Sequence, residues 1–200
     1  MESIRDELLE LWFGDKDDDA EVGESKSALW WGQSAETDER LCGRFGQATS
    51  AAAAGTLDHW TGSPQGRLAL ILLLDQLPRV IHRGTSGAYA QDEKARRVAT
   101  QGLSSGADRL LRPIERVFFY LPFEHSEDRA DQLRSVELYE NLAAEVPEKW
   151  RKSFDFYTEF AVRHWKIIDR FGRFPHRNEI LSRESTPEEL EFLKEPGSGF

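Results

Sequence analysis

The chain has a single cysteine, Cys42, so it can form neither an internal disulfide nor a zinc site of the cysteine type, which fits a reducing compartment. Its longest apolar run, residues 68–74, is far too short to cross a bilayer. The opening Met1-Glu2-Ser3-Ile4-Arg5-Asp6-Glu7 lacks a signal-peptide profile. Strand signals are nearly missing: there is no Asn-Gly or Asp-Gly turn and no sustained alternation of apolar and polar residues. No nucleophile elbow, phosphate loop, dinucleotide fingerprint or His-Glu-x-x-His motif occurs, and no clean repeat is visible. These absences point to a soluble cytoplasmic protein with no membrane partner, no cofactor and no ready-made catalytic signature.

Two hundred residues, 39% of them apolar and six of them tryptophan, suit a single domain over residues 1–200. Acidic residues outnumber basic ones 36 to 26, for a formal charge of −10, which disfavours a nucleic-acid partner. The charge is uneven: residues 15–24 and 184–195 are acidic, while 163–177 is locally positive.

Helical periods and caps recur throughout. A first helix is expected over residues 4–13, ended by Gly14, followed by an acidic mobile loop at 15–26. Trp30-Trp31-Gly32 reads as an aromatic plug before a helix capped by Ser34. Ser63-Pro64 starts a helix whose residues 68–74 are apolar all round and therefore central, with Pro78 expected to kink or end it. Further helices are expected at 92–103, 113–120, 127–146 (capped by Ser126) and 154–171, with a helical turn at 175–181. Thr186-Pro187-Glu188-Glu189 is a capping box opening a terminal helix, and residues 196–200 are expected to fray. The fold class is all-α, with about 8–10 antiparallel helices joined by short loops.

The most informative stretch is Arg170-Phe171-Gly172-Arg173-Phe174-Pro175-His176-Arg177-Asn178. A solvated charge run would not be laced with Phe171 and Phe174, and a plain core would not carry three guanidinium groups. Acceptors stand in Leu74-Asp75-Gln76-Leu77-Pro78-Arg79 and in Tyr120-Leu121-Pro122-Phe123-Glu124-His125-Ser126-Glu127-Asp128, and the three stretches are expected to meet.

Those motifs, with Trp12-Phe13-Gly14, Trp30-Trp31-Gly32 and Arg83-Gly84, make the chain resemble the bacterial family called domain of unknown function 924 over nearly its whole length. The resemblance implies a tetratricopeptide-like α-α superhelix and no established activity. The chain departs from the family pattern at Leu77, Val80 and His82, where phenylalanine, asparagine and an aromatic are usual.

Two readings of the polar residues stay open. In one, a pocket takes a small anionic metabolite, a carboxylate or a phosphate. Arg79, Arg83, Arg173 and Arg177 then hold it, Gln76, Gln132, His176 and Asn178 line it, and His125 moves a proton with Asp128 or Asp75. In the other, the cluster is an internal ion-pair network and the protein is an adaptor for a partner peptide. Asp128, Gln132, Ser135 and Tyr139 form one stripe at helical spacing, most simply a solvated face. His164 reads as a satisfied core histidine. A third reading places function elsewhere, on exposed aromatics such as Trp30 and Trp31.

Overall fold

The computed structural model describes residues 2–199, and among these there is no strand. The helices are α1 (Glu2–Phe13), α2 (Asp19–Trp31), α3 (Ala35–Ala53), α4 (Pro64–Ile71), α5 (Leu77–Ile81), α6 (Asp92–Ser104), α7 (Pro113–Glu124), α8 (Arg129–Glu145), α9 (Glu148–Phe171) and α10 (Pro187–Phe192). None of them is long and apolar enough to cross a membrane.

The centre is the apolar segment that the sequence marks. Leu68 to Leu74 and Leu77 are fully buried and touch α1, α3, α6 and α7 across one continuous core reaching from Leu8 to Ala161. Proline does not break this helix. Between α4 and α5, Leu72–Gln76 form a π-helical turn in which the Leu77 N–H reaches back to the Leu72 carbonyl. The wider turn gives the Pro78 ring room beside the carbonyl of Leu74, which a regular helix would bring into collision with it. One extra residue per turn also rotates the backbone about the helix axis, and that sets the direction of Asp75.

Three other local expectations are corrected. The acidic segment 15–26 is not a mobile loop, because α2 begins within it. Asp18 caps α2 by accepting from the Ala20 and Glu21 N–H groups. Asp19 is buried and accepts from the Arg112 guanidinium (3.0 Å) and the Ile114 N–H (3.1 Å), tying α2 to α7. Val22 and Trp30 are the buried face that the charges hid; Trp30 donates to the Trp12 carbonyl, and Trp31 stacks on Phe118. The next helix pair is divided differently as well. α7 continues through Pro122 to Glu124, since its fully apolar surroundings outweigh one missing donor. Asp128, not Ser126, caps α8, and its carboxylate accepts from the Ala130 and Asp131 N–H groups. Finally, Gln132, Ser135 and Tyr139 are buried, so the polar stripe on α8 faces α7 rather than water.

Ser34, Ser63 and Thr186 cap as their motifs predict, and Gly172 closes α9 at φ 70°. The chain after Gly172 folds back over the end of α9 and forms a small second cluster of Ile167, Ile168 and Phe174, against which Phe171 and Phe192 pack. Within the tail, the Ser198 hydroxyl donates to the Leu193 carbonyl; Phe200 lies outside the described residues.

Candidate functional site

The π turn places Asp75 in the core with no exposed surface. His125, which ends α7, sets its Nδ1 2.8 and 3.0 Å from the two Asp75 carboxylate oxygens. Gln76 Nε2 donates to the same carboxylate at 2.6 Å, and Arg79 Nη1 lies 3.6 Å from it while donating to the Asp75 carbonyl. Burial pushes the Asp75 carboxyl up, but Arg79, His125 and Gln76 together outweigh it and hold the group well below the usual carboxylate range. Burial, then the Arg79 charge, push His125 down against the pull of Asp75. The pair is therefore an ionised carboxylate bonded to a neutral imidazole. The Nδ1–H donates to Asp75, and Nε2 keeps its lone pair.

Beyond this pair lies a cleft of about 370 Å³, whose wall includes Tyr89, Asp92, Arg96, His125, Ser126, Glu127 and Arg177, the one of the four candidate arginines that reaches it. Arg79 is turned away from any ligand by its own partners: it donates to both Asp92 oxygens at 3.0 and 3.1 Å. Arg177 is different. Its guanidinium carbon lies over the rings of both Tyr89 (4.6 Å to the centroid) and Phe174 (4.5 Å). It meets Asp92 only at 3.5 Å, and its buried Nε has no hydrogen-bond partner. Burial and the neighbouring Arg79 push it down to about 10, so it stays charged at neutral pH.

The remaining candidates have other positions. Arg83 is exposed and forks onto Asp38 of α3. Arg173 forks onto Glu189 of α10, at 2.7 and 2.8 Å. Asn178 bonds Ser185, Glu189 and Arg183, inside the tail. Asp128 is exposed and bonded to backbone at the start of α8, not to His125. Gln132 is sealed behind the cleft, where its Nε2 donates to the carbonyls of Phe123, Glu124 and Ser126 and so fixes the turn that carries His125. His176 packs on the Phe174 ring, and burial, then Arg177, push it down to about 4. Among the described residues no group of three His, Cys, Asp or Glu side chains is arranged to hold a metal ion.

Other neighbours of the candidate site were not singled out in the sequence. Tyr89 and Asp92 come from a turn and a helix start with ordinary surface composition, and only their placement beside Arg177 gives them meaning. Glu124 is buried near His164, whose Nδ1 stands 3.1 Å from its carboxyl and 2.9 Å from the Phe160 carbonyl. Burial and the Asp75 charge push Glu124 up to about 8. A glutamate inside the apolar run of α7 was the available signal.

Comparison with known proteins gives a family but no activity. A family model described as "Bacterial protein of unknown function (DUF924)" matches residues 8–197. A solved structure of a protein of unknown function from Agrobacterium tumefaciens is 37% identical and superposes with a TM-score of 0.83, covering 98% of this chain and 99% of that one. No curated protein matches. The match over almost the whole length, on a shared all-α fold, shows that the chain belongs to the DUF924 family of bacterial proteins.

Proposed function

We propose that the cleft binds a small anionic metabolite and that His125 exchanges a proton with it. The observation that carries this reading is the Asp75–His125 pair, with His125 lining the cleft and its Nδ1 held 2.8 Å from the buried Asp75 carboxylate behind it. Asp75 fixes the tautomer and ring orientation and stabilises the imidazolium once a proton has been taken, the arrangement of a general base. Arg177, weakly met by Asp92, supplies the positive charge for a carboxylate or phosphate. Arg79 and Gln76 act through Asp75 as positioning residues.

The experiment is a thermal-shift and imidazole-NMR survey of small carboxylates and phosphates against the wild type, Arg177→Gln and His125→Gln. The reading expects a ligand that moves the His125 resonances, is lost in Arg177→Gln, and is still bound but not turned over by His125→Gln. If no acid in the survey moves His125, the reading falls.

One alternative keeps support. Arg79, Arg83 and Arg173 each face an internal carboxylate, as a structural network would require. A tetratricopeptide-like adaptor for a partner peptide would then leave the cluster to hold the fold together. In that case Arg177→Gln and His125→Gln would each lower the melting temperature strongly, and no small acid would raise it in the wild type.

A further inference from the structure

We infer that the anion suited to this cleft is a monocarboxylate held by Arg177, and not a phosphate dianion. This deepens the reading of the cleft as an anion site and rests on it. The argument is a charge inventory of the wall. Arg96 donates to the Ser126 hydroxyl at 2.8 Å and pairs with Asp131 at 3.0 Å. Arg79 is bound to Asp92 through two bonds, and Arg183 to Glu127 through two more at 2.7 and 3.0 Å. Only Arg177 is left under-bonded, and an entering anion also faces Asp92, Glu93 and Glu127. Asp92, Glu93 and Glu127 already pair with Arg79, Arg97 and Arg183, so the one guanidinium left over suits one negative charge and leaves a second unmatched.

Helix ends do not redress the balance. Phosphates commonly sit on the free N–H groups of a helix N-terminus. Here α7 presents its carbonyl end at His125, and the first turn of α6 carries its own Asp92 and Glu93. The N-terminus of α8 is already closed by the Asp128 carboxylate. The shape of Arg177 agrees with this. The guanidinium carbon lies over the rings of both Tyr89 and Phe174, which favours approach of a ligand along its edge. A planar carboxylate matches a planar edge in two parallel bonds.

The test titrates the full chain with propionate and with inorganic phosphate at about pH 8, where inorganic phosphate is mostly the dianion. The His125 imidazole resonances and the melting temperature report binding. Propionate should bind at least about tenfold more tightly than phosphate, and Arg177→Gln should erase its effect. Phosphate binding as tightly as propionate would overturn the inference while leaving the anion site standing. No response to either acid would remove both. Should Arg177→Gln fail to fold, Asp92→Asn carries the test: it removes a facing negative charge, so phosphate should gain several-fold more than propionate, and equal gains would refute the charge argument.

Discussion

Glu124 sits beside the candidate base and holds its proton into the physiological range. Its folded pKa of about 8 lies above its ordinary value of 4.5. A raised pKa means that the folded state binds the proton more tightly. The stabilising contribution is therefore complete below 4.5 and is lost as pH rises through about 8. Glu124→Gln keeps the shape and removes the titration. Its melting temperature relative to the wild type should rise steadily from about pH 5 to about pH 8, by an amount equivalent to a few kcal/mol; a difference that is flat with pH would contradict the assignment. His176 works in the opposite sense. Its folded pKa of about 4 is depressed, so its contribution is present above the ordinary histidine value of 6.5 and is lost as pH falls towards 4. Asp75, His125 and Arg177 could be picked out in the sequence because charged groups among aromatics and prolines need partners. Which partner each takes could not, since Asp92 reaches Arg177 from 85 positions away.

At the scale of the element, the π turn and the Gln132 clamp do the positioning. Pro78→Ala restores an N–H that can close a regular α-helical bond to Leu74, and the segment is expected to lose its extra residue per turn. Asp75 would then rotate off His125. The His125 pKa, read by NMR, should change even where the melting temperature barely moves. Gln132→Ala removes the amide donor from the Glu124 and Ser126 carbonyls at and just past the end of α7 and should cost about 2–4 kcal/mol in urea unfolding. On α6, Gly102 has no room for a methyl group: a Cβ would collide with Phe119 and stand 2.5 Å from Arg67 Cδ, so Gly102→Ala should cost about 1–3 kcal/mol. Helix caps such as Ser63-Pro64 and the Thr186 box were legible because they are local. The register of α8 was not: Ser126 and Asp128 are both good caps by composition, and the choice is made by Arg96 and Asp131, which claim the Ser126 hydroxyl. The helicity of α2 was hidden for the same kind of reason, because Asp19 finds its partners on α7.

For the whole molecule, the division of apolar packing matters most. The main core runs from Leu8 to Ala161, whereas Ile167, Ile168 and Phe174 form a separate cluster under the C-terminal segment. Arg177 belongs to that segment, and His125 and Asp75 to the main body. Segments with few buried contacts open at lower free energy than the rest of a domain. Amides of residues 173–185 should therefore exchange with solvent faster than those of α4 and α7 under native conditions. Equal protection throughout would show that the two clusters melt together. Local opening of this C-terminal annex would carry the guanidinium away with it, so an acid held as proposed would escape at the rate of that opening while the helical bundle stays shut.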